Sequence, residues 1–182
     1  PLLKSLSSDL NILRPLIVET GFETVSYNLN RKNTNILFFE FGKIYHAKKT
    51  WDYSEEEHLS LYISGFSHQQ SWNEKAKQHD IFSAKGIADY VLQSSGCSNI
   101  HYTKEKNCLL IKTDDRIVGN ITEITAKKLL DFDIKQPVYF VDFKFEKILH
   151  AVAAHKIIYK EVPKFLALKR DLAMIISNNI LI

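Results

Sequence analysis

The stretch "NILFFEFGKIY", residues 35–45, carries the reading of the fold. It is rich in Ile and Phe and is interrupted by Glu40 and Gly42, which predicts a strand with one close backbone approach. Downstream, "HLSLYISGF" (58–66) alternates, with Leu59, Leu61 and Ile63 on one side and Ser60, Tyr62 and Ser64 on the other. The two strands are expected to pair antiparallel. Between them "HAKKTWDYSEEE" is charged, and its run Glu55–Glu57 reads as a solvated loop.

Upstream, apolar positions recur at Leu13, Ile17, Phe22, Val25 and Leu29, close to the 3.6-residue period of one helical face. An amphipathic helix from Leu13 to Leu29 follows, with Pro15 in its first turn. "DIFSAKGIADYVLQSSG" (80–96) reads as a second helix closed by Gly96. "NCLLIKT" and "RIVGNI", joined at Asp114 and Asp115, read as a hairpin. "TEITAKKLLDFDI" (122–134) is expected to be a short helix capped by Thr122, and "QPVYFVDFKFEKILH" a further strand with Pro137 at its start. Strands joined by short turns and interspersed with helices predict an α+β fold, a mostly antiparallel sheet flanked by helices. A last apolar run within "KFLALKRDLAMII" (164–176) suits a buried strand at 172–176, yet only six residues follow it to supply a partner.

A chain of 182 residues accommodates one substantial core plus a fragment, and its 45% hydrophobic and 25% charged content is that of an ordinary globular protein. The start, "PLLKSLSSDL", has neither an initiator Met nor an export pattern, so a piece of a longer cytoplasmic protein is expected. A formal charge of +3 scattered along the chain supplies no concentrated basic face for nucleic acid. Cys97 and Cys108, the only cysteines, are expected to be free thiols. Seven histidines show no metal-ligand spacing, and the six glycines form none of the usual phosphate-binding loops. No GxSxG nucleophile elbow occurs. Asn120-Ile121-Thr122 matches a glycosylation sequon that matters only in an exported chain.

Several phrases, in order, resemble one family: the C-terminal synthetase-like module of the β subunit of bacterial phenylalanyl-tRNA synthetase. "LSSDLNILRPLIVETGFETVSYNLNRKN" resembles its opening helix, and "LFFEFGKIY" its Leu-Phe-Glu-Ile-Gly strand. "WNEKAKQHDIFSAKGIADYVL" is similar to its Trp and Phe-x-x-Lys-Gly signature, at Trp72, Phe82, Lys85 and Gly86. In "RIVGNITEITAKKLLDFDIKQPVYFVDFKFEKI", Thr122 and Glu123 stand where His-Pro is usual, and Asp142 where Glu is usual. "VPKFLALKRDLAMII" resembles the entry to the family's ferredoxin-like anticodon-binding domain; Leu166 replaces a Pro, while Arg170 and Asp171 match.

The resemblance implies a class II synthetase-like core over residues 1–160 and a truncated anticodon-binding domain over 161–182. The unpartnered run at 172–176 would then lack neighbours because the domain that supplies them is cut away or disordered. It also implies a noncatalytic module that assembles with the α subunit, the carrier of the active site, in an α2β2 heterotetramer joining phenylalanine to its tRNA. ATP and Mg2+ would serve the whole enzyme, and no catalytic, cofactor-binding or metal-ligating residue is assigned here. The strands that would carry phosphate-binding arginines hold instead Lys43, Lys48, Lys49, Lys144 and Lys147, and lysine does not replace the bidentate guanidinium. Leu13, Ile17, Val25 and Leu29 would lie at the subunit interface, or else Ile17, Val25 and Leu29 cover the domain's own sheet. Lys169 and Arg170 would face tRNA, or else be solvated charges at a strand entrance. Two other functions remain at this level: a self-sufficient class II-like amino-acid-activating enzyme and a general RNA-binding domain.

Overall fold

A computed structural model of the chain describes residues 12–49, 52–68 and 70–153, with isolated positions 159, 161, 164, 165, 168, 170 and 171. The expected strand at 172–176 and Lys169 lie outside the described residues.

Two long strands, β1 (Ile36–Lys49) and β2 (Asp52–Ser64), pair antiparallel from Ile36↔Ser64 to Lys49↔Asp52. Residues 46–57 are thus largely ladder rather than solvated loop. Their glutamates read as a loop, yet Glu55 and Glu57 reach across to β1, with Lys43 Nζ 2.7 Å from Glu55 and 3.7 Å from Glu57. A short pair, β3 (Phe66–His68) and β4 (Lys77–Gln78), follows.

Helix α1 (Val18–Asn30) begins later than the periodicity suggests. Residues before it cross the edge of β1, where Tyr45 N–H donates to the Arg14 carbonyl at 3.0 Å, so Leu13 and Pro15 lie outside the helix. Helix α2 (Ile81–Ser94) starts at a capping box between Asp80 and Ser83. It ends at Gly96, whose φ of +91° is the left-handed position foreseen for it.

Strands β5 (Ile100–Glu105), β6 (Cys108–Thr113) and β7 (Arg116–Glu123) form a meander. Asp114 and Asp115, at φ +46° and +62°, make the tight β6–β7 turn, and β5 has no counterpart in the sequence reading. Helix α3 is only Ala126–Leu130, with Thr125 before it. Thr122 and Glu123 belong to β7 because they pair with Phe140 and Tyr139 of strand β8 (Val138–Lys144). The apolar run after Lys144 then turns into helix α4 (Phe145–Ala153), where the expected strand continued. Ile148 and Ala151 fall on its buried side at helical spacing.

The six strands make one antiparallel sheet in the order β1-β2-β8-β7-β6-β5. Both faces of its centre are buried. On one, Leu61, Ile63, Val141, Phe143 and Ile121 pack with Ala84, Ala88 and Leu92 of α2 and Ile148 of α4. On the other, Tyr62, Phe140 and Val138 pack with Ile17, with Phe22 and Val25 of α1, and with Leu129 and Ile134 around α3. Tyr62 stacks on Phe38 at 4.6 Å and 15°, meets Phe22 edge-on, and donates its hydroxyl to the Ile17 carbonyl at 2.9 Å. Burial pushes its phenol pKa well above the usual range.

A Cβ on Gly21 would overlap the Tyr62 ring, whereas one on Gly86, in mid-α2, would meet nothing. Gly21→Ala is therefore expected to destabilise by about 1–3 kcal/mol, and Gly86→Ala to stabilise by about 0.5–1 kcal/mol, in urea denaturation of each variant. Opposite signs at two helical glycines test whether α1 docks directly on Tyr62. At the cap of α2, hydrogen bonds from Ser83 hold the Asp80 carboxyl below its usual pKa. Its contribution is present above the unfolded carboxylate value and is lost as pH falls through the lower folded one. The Tm gap between wild type and Asp80→Ala should stay constant near neutrality and close as pH falls below about 4.

Candidate functional site

Polar side chains gather on the α1 face of the sheet, where cross-strand register lines them up. Glu40 of β1 opposes Ser60 of β2, Ser60 opposes Asp142 of β8, and Asp142 opposes Asn120 of β7. In the next row Gly42, His58 and Lys144 stand side by side.

Asp142 is the acceptor at the centre. His58 Nδ1 lies 2.9 Å from both its oxygens, and the Ser60 hydroxyl donates to Oδ1 at 2.8 Å. His58 is 4% exposed and Ser60 0%. The His58 Nε2 is buried without a hydrogen-bond partner, 3.7 Å from Glu56 Oε2. Glu56 in turn accepts from Lys144 Nζ at 3.0 Å, and that bond lowers its carboxyl pKa. Serine, histidine and aspartate are thus together, but not as a nucleophilic relay. Ser60 and His58 both donate to the carboxylate, so the imidazole takes no proton from the hydroxyl.

Across β1, the Arg14 guanidinium lies over Gly42. Its Nε donates to the Lys43 carbonyl at 3.0 Å, and its Nη1 pairs with Glu40. A Cβ at residue 42 would collide with Arg14, which is the close approach that a glycine inside a strand foretold. The sequence reading nevertheless missed Arg14. It looked for arginines within the strands, and this one reaches the sheet from 26 residues before its partner Glu40. Lys43 is held by Glu55 and Glu57, while Lys144 is held by Glu56. Each of these cations is already met by a carboxylate of this chain.

Of the residues expected at an interface, Ile17 and Val25 are buried in the chain's own core, and Leu29 packs partly against it. These three pack on the chain's own sheet. Leu13 is 49% exposed in the segment before α1, beside exposed Ile12 and Leu16. Arg170 is exposed. Cys97 is buried, with its thiol pKa raised by burial, and Cys108 is half-buried. Among the described residues, no cluster of three or more His, Cys, Asp or Glu has the arrangement of a metal site, and no helix is long and apolar enough to cross a membrane.

Residues 1–145 match the family model of the phenylalanyl-tRNA synthetase β-chain CLM domain. The chain belongs to that family. Among curated relatives, the phenylalanine–tRNA ligase β subunit of Bacteroides thetaiotaomicron is 32% identical over 200 residues, covering 98% of this chain and 24% of its own. That of Porphyromonas gingivalis is 29% identical over 193 residues, covering 97% of this chain and 24% of its own. The chain spans about a quarter of the length of the relatives it matches. Among solved structures, a pyrrolysyl-tRNA synthetase of Desulfitobacterium hafniense superposes with a TM-score of 0.60 at 17% identity, over 75% of this chain and 48% of that one. The likeness places the CLM domain in the class II synthetase fold.

Within this CLM domain, Asp142→Leu would leave the Ser60 hydroxyl and the His58 imidazole buried without their acceptor. A loss of about 2–4 kcal/mol is expected in urea unfolding. A loss below 1 kcal/mol would mean that water or Glu56 replaces the carboxylate.

Proposed function

We propose that this CLM domain is a noncatalytic assembly module of a phenylalanine–tRNA ligase β subunit. In this reading it pairs with a catalytic α subunit in an α2β2 enzyme of the cytoplasm that joins phenylalanine to its tRNA at the expense of ATP. ATP and Mg2+ act at a site outside this chain. Residues 161–182 begin an anticodon-binding domain, through which Lys169 and Arg170 would approach tRNA phosphates.

One observation carries the noncatalytic reading: the polar sheet face is turned inward on itself. Binding a triphosphate needs cations free to form charge-assisted, preferably bidentate, hydrogen bonds. Here Arg14 is committed to Glu40 and Lys144 to Glu56, while Ser60 and His58 are buried against Asp142. The exposed apolar run Ile12, Leu13 and Leu16, together with the partly exposed side of Leu29, is where α-subunit contact would be made directly. Ile17 and Val25 would act only by holding α1 in place.

The reading is tested by co-purifying this chain with the α subunit and measuring phenylalanine-dependent pyrophosphate exchange for each alone and for the mixture. Binding is expected, with exchange confined to samples that contain α. Leu13→Glu should lower recovery of the complex several-fold without shifting the chain's own Tm, because Leu13 lies outside the core. Exchange by the isolated chain would overturn the reading in favour of a self-sufficient enzyme.

A further inference from the structure

Among the described residues, nothing pairs with the outer edge of β1 over half its length. In an antiparallel ladder, the N–H and C=O of a residue point the same way, alternately toward the neighbouring strand and away from it. Two contacts fix the phase on β1. Tyr45 N–H donates to the Arg14 carbonyl, and the Lys43 carbonyl accepts from Arg14 Nε. Odd-numbered residues therefore face away from β2, and the register runs without a shift from Ile36 to Ala47. Leu37, Phe39 and Phe41 thus turn both backbone groups outward, and no other described residue hydrogen-bonds to them there.

The same three residues carry exposed side chains, at 62%, 70% and 51%. They lie on the face shared with α4, at the margin of that helix's cover. Phe41 meets Phe145 edge-on at 4.7 Å, and exposed Leu149 continues the apolar surface along α4. Edge strands of stable monomers are ordinarily blunted by lysine, proline, a bulge or an overlying segment. Arg14 performs that task at Lys43 and Tyr45, and nothing among the described residues performs it at Leu37–Phe41.

We propose that residues 36–42 of β1 pair antiparallel with the same strand of a second copy of this chain, about a two-fold axis through Phe39. The spacing is self-complementary. Phe39 would oppose Phe39 of the second copy, and Leu37 would oppose its Phe41, with all four of those flanking side chains on one face. A two-fold interface requires that kind of patch, one that matches itself. The pairing ends where Arg14 occupies the edge at Lys43 and, symmetrically, where the copy's chain leaves β1 at Asn35. At those exposures each copy contributes roughly 300 Å² of apolar side chain. With the strand edges added, the pair falls just below the lower end of specific interfaces, about 1,200 Å² in total, so the association is of the weak class. A strand donated by a different polypeptide would satisfy the same backbone groups, but the symmetric apolar spacing centred on Phe39 selects a second copy. The inference does not depend on the reading of function above.

The test is sedimentation equilibrium on the 182-residue chain, wild type, Phe39→Pro and Phe39→Lys. Proline at residue 39 removes only an outward N–H, so the ladder to β2 keeps its bonds. Lysine leaves the backbone intact and places a charge where two Phe39 rings would meet. A dimer is expected for the wild type, with Kd raised at least tenfold in both variants and far-UV circular dichroism unchanged. A wild-type chain that is monomeric at concentrations on the order of 100 µM, high for an interface of this size, would overturn the proposal. So would a dimer whose Kd neither variant changes, or a chain monomeric alone whose β1 edge captures the α subunit in a manner abolished by Phe39→Lys.

Discussion

The docking of α1 on Tyr62 is the contact on which the rest of the structure depends. The ring lies flat against Phe38, and its hydroxyl is bound to the Ile17 carbonyl at the foot of the helix. Only a glycine at position 21 lets the helix backbone approach that ring. With the start of α1 fixed in this way, the residues before it have one short path, across the edge of β1. That path delivers the Arg14 guanidinium to Glu40 and its main chain to Tyr45. One aromatic–glycine contact therefore determines both the electrostatics of the sheet face and how much of the sheet edge is covered.

Parts of this were legible in the sequence because they are local. The alternation of Leu59, Leu61 and Ile63 with Ser60, Tyr62 and Ser64 marks β2, and its two residue sets do occupy opposite faces. Asp114-Asp115 marks a tight turn, and Gly96 marks the end of α2. What failed was of two kinds. Charges that neutralise one another across strands, such as Lys43 with Glu55 and Glu57, are indistinguishable in one dimension from a solvated loop. An apolar strand running directly into an apolar helix, as at Lys144–Phe145, shows no break in composition. The site was less legible still, since His58 meets Asp142 across 84 residues and Arg14 meets Glu40 across 26. The clue to Arg14 was Gly42, which announced an approach without saying by what.

The polar face also shows how a synthetase-type sheet can pair off its own charges while remaining polar. Burying charge is costly unless each group finds a partner. Here Asp142 gathers two donors, Glu40 receives Arg14, and Glu56 receives Lys144. These pairs offset much of the desolvation cost within the domain, and the buried Nε2 of His58 is the atom of this face left without a hydrogen-bond partner among the described residues. A site built to hold substrate works oppositely, keeping donors preorganised and unsatisfied until the ligand arrives.

Arg14 links this polar face to the edge of the sheet, because the same residue does both jobs. Its side chain neutralises Glu40 while its main chain closes β1 at Tyr45. It cannot slide along the strand to cover Phe39, since that would carry the guanidinium away from the one position, Gly42, with room beneath it. The open stretch from Leu37 to Phe41 is thus a geometric consequence of the way the polar face is neutralised. An edge left bare among the described residues by such a constraint, and lined with Leu37, Phe39 and Phe41 rather than guarded by charge, is a surface whose apolar cost association would relieve.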